Sequence, residues 1–255
     1  MRRTNLTQLA ANPNFISGIY NYCDRWCERC PLTSRCLVYA QEQEDEDDSP
    51  ESHDINNAAF WEKLHSVFQE TRELITKWTE EAGIDLSQAE IQSEVDRRKR
   101  KDRTGRSRLA KAGKAYAYAV TQWFSEYDQV ISAGDASSDD EIEIAERIDE
   151  AREVIYWYQY QIAVKTMRAL SSFGDELEDE EYPKDSDGSA KVALIGIDRS
   201  ISAWRIMQSC LPERAQEIVP LILQLEQLRQ RTETRFPNAR DFIRPGFDEI
   251  LGRLN

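Results

Sequence analysis

Apolar residues recur at three- and four-residue steps along most of this 255-residue chain, and this spacing restricts it to helical folds. The clearest stripe follows Ser189 and consists of Leu194, Ile197, Ile201 and Trp204. The alternation of apolar and polar residues that is typical of strands is not found, and no unit of twenty to fifty residues repeats. The sequence therefore predicts an all-α protein, a multi-helix bundle of about six or seven helices.

Capping residues and helix breakers predict where these helices begin and end. The predicted helices span 57–82, 86–102, 106–131, 139–174, 189–210, 212–236 and 242–254. The acidic stretches 41–54 and 175–188 interrupt them and predict solvated segments. The run from Tyr156 to Tyr160 places bulky residues on every side of its helix, which predicts burial among several helices.

Four of the five cysteines lie within fourteen residues. They are Cys23, Cys27, Cys30 and Cys36, spaced C-x3-C-x2-C-x5-C. Disulfide-stabilised folds distribute their cysteines along the chain. Thiolates crowded this closely are better explained by a metal that all four bind. We therefore predict that these four cysteines are metal ligands.

The local pattern around the cysteines favours one metal group over another. Asn12-Pro13 predicts a helix start, and the apolar residues that follow predict an amphipathic helix through the third cysteine. The first three cysteines then share one face, and Pro31 ends the helix so that a return loop brings back Cys36. Three sulfurs along about 10 Å of helix suit a large cluster better than one tetrahedral ion. The predicted cofactor is a 4Fe-4S cluster, with zinc as the alternative.

The segment Cys27-x2-Cys30-Pro-x4-Cys36 resembles part of a known cluster motif. It is similar to the C-x2-C-x5-C part of the cluster that closes the nuclease domain of CRISPR-associated exonucleases and AddB-type recombination nucleases. Those families place the first ligand far away in sequence, whereas Cys23 is adjacent here, and their nuclease motif is not found. The first three cysteines also match the spacing of radical S-adenosylmethionine enzymes, but no strand–helix alternation follows. The resemblance implies a cluster, and both matches are confined to the fourteen residues 23–36.

These observations predict the organisation and class of the protein. Residues 1–40 form a metal module, 41–56 an acidic linker and 57–255 a helical bundle domain. Four protein thiolates leave no open iron for substrate, which favours electron transfer with a redox protein partner, or a structural cluster. No catalytic triad, phosphate loop or metal-hydrolase motif is found. Clustered cysteines and the lack of an apolar run of about 18 residues predict a cytoplasmic protein without a membrane span.

The charge of the chain is strongly polarised. Its net charge is −14, yet residues 97–114 contain ten basic residues and one acidic residue. This stretch predicts either a solvated or intramolecular role or contact with a polyanion. The second hypothesis is therefore a nucleic-acid-associated adaptor that zinc or a cluster stabilises. Its candidate contacts are Arg97, Arg98, Lys99, Arg100, Lys101, Arg103, Arg106 and Arg108.

Glu62-x-x-His65 suggests a third hypothesis, a ferritin-like di-iron oxidoreductase, because such bundles use two E-x-x-H motifs. On a helical wheel Glu62 lies about 150° and His65 about 90° from the centre of the apolar stripe of its helix. The only other histidine, His53, lies in the acidic linker, so a second motif does not exist. The wheel therefore predicts that Glu62 faces water and disfavours this site.

Overall fold

The computed structural model describes residues 12–46, 50–83, 104–131, 139–173 and 184–248. These residues contain six α-helices: α1 (Leu37–Glu46), α2 (Ala58–Ala82), α3 (Arg108–Ile131), α4 (Asp139–Ser172), α5 (Asp185–Cys210) and α6 (Ala215–Arg235). Short 3-10 turns span Ile19–Asn21, Cys27–Arg29, Thr33–Arg35, Pro50–His53 and Pro212–Arg214. The described residues contain no β-strand, which confirms the all-α prediction. None of their helices is long and apolar enough to cross a membrane.

The chain divides into two compact units. One comprises residues 1–20 and 27–99, and the other comprises 21–26 and 100–255. The second unit therefore contains a six-residue segment from the cysteine-rich region together with α3 to α6. The boundaries predicted at residues 40 and 56 stay a prediction. Within the first unit, helix α1 continues to Glu46. Residues 41–46 are therefore helical, although their acidic composition predicts a linker.

The described residues of the second unit contain four α-helices that pack in a closed ring. Helix α4 packs against α3 and α5, and α6 packs against α5 and α3. Close contact of α3 with α4 depends on Gly113, because a Cβ added there would lie 3.2 Å from the Cα of Ala163. Apolar residues at helical spacing are buried in three helices: Ile155, Ile162 and Ala169 of α4; Leu194, Ile197, Ile201 and Trp204 of α5; Ile218, Leu221, Leu225 and Leu228 of α6. Ile148, which helical spacing places on the same stripe of α4, is only partly buried.

Helix α2 has the predicted bounds but not the predicted surroundings. The side chain of Asn57 accepts a hydrogen bond from the Ala59 N–H at 3.0 Å, and Gly83 ends the helix with a φ of 66°. Helical spacing predicts that its apolar stripe faces a core. Instead, Phe68 and Trp78 are exposed, so that prediction is wrong for this helix.

Three other sequence predictions are corrected. Helix α5 begins at Asp185 rather than Ser189, because the carboxylates of Asp185 and Asp187 lie in its first turn, where the helix dipole favours negative charge. Residues 242–248 form irregular backbone and a turn where the closing helix 242–254 is predicted, and the rest of that predicted helix lies outside the described residues. Tyr158 is buried, but Tyr160 is 57% exposed, so the aromatic run does not lie among helices on every side. The predicted helix 86–102 lies outside the described residues.

Asp248 pairs with Arg244 within the C-terminal segment and with Lys191 of α5. Its carboxylate accepts hydrogen bonds from the backbone N–H and guanidinium of Arg244, at 2.9 and 3.0 Å, and lies 3.0 Å from the ammonium of Lys191. Burial alone raises the pKa of this carboxyl, but the hydrogen bonds from Arg244 and Lys191 outweigh it and lower the pKa to about 2. The charged form therefore stabilises the folded state.

We expect this carboxylate to make stability depend on pH in the acid range. The pKa of Asp248 in the folded state lies below the value of about 3.9 in the unfolded state. Its contribution to the free energy of unfolding is therefore complete above the unfolded pKa and is lost as the pH falls towards 2. Asp248→Asn should lower the free energy of unfolding by about 1–2 kcal/mol at pH 7 and by less at pH 3. Urea denaturation at both pH values measures this, and an equal loss at both would contradict it.

Candidate metal centre

Residues 12–36 contain 3-10 turns and irregular backbone rather than an α-helix. The predicted amphipathic helix carrying the first three cysteines is therefore wrong. Two left-handed residues interrupt the backbone, Gly18 with a φ of 73° and Arg25 with a φ of 59°. A non-glycine residue adopts this conformation when its surroundings impose it. Here tertiary hydrogen bonds to Asp24 outweigh the helical periodicity of the sequence.

Asp24 anchors the segment 21–26 to α4 and α5 within the second unit. Its carboxylate accepts hydrogen bonds from the hydroxyl of Tyr158 and from the guanidinium of Arg199, the latter at 2.7 Å. Its backbone carbonyl accepts from the indole N–H of Trp157 at 2.9 Å and from the amide of Gln161. Four donors from two helices therefore fix the residue that follows Cys23.

Aromatic packing reinforces this anchor. Trp26 is buried and stacks on Trp157, with ring centroids 5.0 Å apart and planes inclined by 16°. Its other neighbour is Tyr158, which it contacts edge-on at 5.9 Å. The backbone that follows Cys23 is thus fixed at two points, by the hydrogen bonds of Asp24 and by the packing of Trp26.

We expect Asp24→Ala to destabilise the second unit by about 2 kcal/mol, since it removes two hydrogen bonds to a charged group. It also deprives the half-buried hydroxyl of Tyr158 of this acceptor. Urea denaturation measures the loss. The matched control is Asp241→Ala at an exposed position, which should change the free energy of unfolding by less than about 0.5 kcal/mol. Equal effects of the two substitutions would contradict the anchoring role.

The sulfur of Cys23 is half-buried, and the charges that act on it are two cations, Lys165 and Arg25, and the carboxylate of Asp24. Burial, and to a smaller extent the charge of Asp24, raises the pKa of its thiol. The backbone N–H of Arg25 donates to the sulfur and, with the charges of Lys165 and Arg25, acts in the opposite direction. Lys165 is itself buried, and burial lowers the pKa of its ammonium. Amide donors and cations near a sulfur stabilise a thiolate.

The other three cysteines of the cluster belong to the first unit. The Cys30 N–H donates to the Cys27 carbonyl at 3.1 Å and closes a tight turn. Two residues later, the Leu32 N–H donates to the sulfur of Cys30 at 3.4 Å. Cys36 follows the next turn, whose Arg35 carbonyl accepts from the Ile16 N–H at 3.0 Å. The chain therefore does return after Pro31 towards the residues that precede the cluster.

All five cysteines have intermediate exposure, and none of them forms a disulfide. Among the residues that the structure describes, no three His, Cys, Asp or Glu side chains are arranged so that they could hold one metal ion. The donor chemistry fits a thiolate-bound metal, since two of the four sulfurs accept an amide N–H from two residues downstream. The described structure does not, however, bring three of these sulfurs together as ligands of one metal ion.

The other predicted sites have separate locations. Glu62 and His65 are both exposed on α2, as the helical wheel predicts for Glu62. Of the candidate polyanion contacts, Arg106 and Arg108 are exposed. The remaining six, at positions 97–101 and 103, lie outside the described residues.

Sequence reasoning missed Asp24 and Lys165, which determine the surroundings of Cys23. Asp24 carries no signal, because its partners are more than 130 residues away in sequence. The sequence signal for Lys165 is weak: its position, three residues after the buried Ile162 on the same helix, places it near the buried face. No family model, no curated protein and no solved structure matches this chain.

Proposed function

We propose that residues 23–36 bind a 4Fe-4S cluster through Cys23, Cys27, Cys30 and Cys36, with zinc as the alternative metal. The observation that carries this proposal is the crowding of four cysteines, none of them in a disulfide, into fourteen residues. The amide donors at Cys23 and Cys30 support it, because hydrogen bonds to sulfur stabilise ligating thiolates and tune cluster potentials. Metal binding brings the four sulfurs together, since such sites commonly form together with the metal.

The charges around the cysteines suit such a group. Four thiolates give either metal centre a negative net charge, and cations in each unit offset it. Arg25 and Lys165 act on Cys23 in the second unit, and Arg29 and Arg35 belong to the cysteine-bearing turns of the first. With all four positions taken by protein, the cluster serves electron transfer to a redox protein partner or a structural role in a reducing compartment such as the cytoplasm.

The deciding experiment is metal analysis of protein purified without oxygen. We expect about four iron and four sulfide per chain, with a broad visible absorption that dithionite bleaches. One zinc per chain in colourless protein would select the alternative metal. Protein with neither metal would overturn the proposal.

A specific observation favours polyanion binding as a second candidate function. Arg108, Lys111 and Lys114 of α3 are exposed, and Tyr118, one turn further, is 66% exposed. The hydroxyl of Tyr160, from α4, lies 3.1 Å from that of Thr121 on the same side of α3. The fold therefore places two exposed rings beside the cations, and cations with rings form the surfaces that bind single-stranded nucleic acid.

We expect Lys111→Gln combined with Lys114→Gln to weaken binding of a single-stranded oligonucleotide and to reduce the slope of log affinity against log salt by about 1.4. Tyr118→Ala should weaken binding at least fivefold without changing that slope. Fluorescence anisotropy at several salt concentrations measures both. The matched control is Arg205→Gln, at a side chain 65% exposed on α5. Absence of binding at low salt would remove this function.

A further inference from the structure

The apolar face of α2 is open to solvent. Its exposed fractions are 54% for Trp61, 65% for Phe68, 44% for Leu74, 48% for Ile75 and 62% for Trp78. The indole N–H of Trp61 donates to the Ile55 carbonyl at 2.9 Å, so the polar atom of this ring is satisfied and its carbon surface is presented. A contiguous apolar surface on one helix marks an interaction site.

The spacing of this face is that of a coiled-coil seam. The residues that follow one another at alternating steps of three and four are Trp61, Leu64, Phe68, Thr71, Ile75 and Trp78. Alternating steps of this kind keep a stripe directed at a partner helix that carries the same spacing. The surface therefore fits an amphipathic helix rather than a flat sheet or a small ligand.

We propose that two copies of this chain associate through antiparallel α2 helices, with Trp61 of one copy opposite Trp78 of the other. This twofold arrangement overlaps the two 25-residue helices along their full length. The remaining core pairs are Leu64 with Ile75 and Phe68 with Thr71. Every large apolar side chain that α2 exposes is covered in this register.

The residues beside the seam favour the antiparallel direction. Val67 and Leu74 occupy equivalent positions on one flank of the stripe, and antiparallel pairing places each opposite the other in the partner. Parallel pairing would instead place Val67 opposite Arg72 and Leu74 opposite Thr79. The antiparallel direction thus extends the apolar core, and it also opposes the two helix dipoles.

The exposed area is sufficient for a stable dimer. Burying an aromatic side chain removes about 150–250 Å² from water, so each of these half-exposed residues contributes about 100 Å². Five residues in two copies then remove on the order of 1,000 Å², the lower bound for a specific interface.

Sedimentation velocity of the full chain over a range of concentrations tests the association. We expect the wild type to be a dimer and Phe68→Glu to raise the dimer dissociation constant more than tenfold. Because Phe68 is exposed, its substitution should leave the circular dichroism spectrum unchanged. The matched control is Leu223→Glu, at a side chain 53% exposed on α6, which should remain a dimer. A monomeric wild type, or a dimer that Phe68→Glu leaves intact, would overturn the proposal.

The direction of pairing has its own test. Val67→Glu and Leu74→Lys should each weaken the dimer, and the double variant should regain affinity because antiparallel pairing sets the two introduced charges opposite each other. In a parallel pair the charges do not meet, so no recovery in the double variant would overturn the antiparallel register.

Discussion

Cys36→Ser is expected to abolish the proposed 4Fe-4S cluster. In the proposed site this cysteine supplies the fourth thiolate, from a separate turn beyond Pro31, and serine is a poor ligand for iron in a cluster. Protein purified without oxygen should either lose its visible absorption or contain about three iron per chain, in a three-iron form that electron paramagnetic resonance distinguishes. If zinc is the metal, the same substitution should weaken zinc binding, with loss of the metal to a chelator.

The matched control for this substitution is Cys210→Ser. Cys210 ends α5, far in sequence from the other four, and has intermediate exposure like them. It should leave iron content, sulfide content and spectrum unchanged. Unchanged iron and spectrum in the Cys36 variant would remove Cys36 from the ligand set. Loss of iron in the Cys210 variant as well would show that the readout reports protein damage rather than ligation.

The helices of the second unit were predictable because they follow from local chemistry. Each buried stripe has a single dominant face, so helical spacing identifies Leu194 and Trp204, or Leu221 and Leu225, without knowledge of their neighbours. Caps and breakers then set the ends within a few residues. The close contact of α3 with α4 also has a local cause, because Gly113 has no Cβ to hold Ala163 away.

The surroundings of the cysteines were not predictable for the opposite reason. The segment 21–26 has helical periodicity, yet its conformation is decided by donors on α4 and α5, such as Trp157 and Arg199. Interactions across more than 130 residues leave no local pattern in Asp24. The stripe of α2 shows the complementary failure: spacing identifies an apolar face, but it does not say whether the same chain covers that face.

Trp204→Ala is expected to be the most destabilising of the substitutions considered. Trp204 is fully buried in α5, and its indole N–H donates to the hydroxyl of Tyr116, also fully buried, at 2.9 Å. Its ring contacts those of Trp123 and Phe124, at centroid distances of 5.1 and 5.7 Å. Removing it leaves a cavity among α3 and α5 and deprives a buried hydroxyl of its partner. We expect a loss of about 3–5 kcal/mol in the free energy of unfolding.

Two variants separate packing from hydrogen bonding in that loss. Tyr116→Phe keeps the ring but leaves the Trp204 N–H without this acceptor, which should cost about 1–3 kcal/mol. Ile206→Ala, at a side chain 38% exposed on the same helix, should cost less than about 1 kcal/mol. Urea denaturation followed by circular dichroism gives all three values. Because marginal stability is about 5–15 kcal/mol, the Trp204 variant should unfold at a much lower urea concentration. A Trp204 effect no larger than that of Ile206 would show that this ring does not occupy the centre of the core.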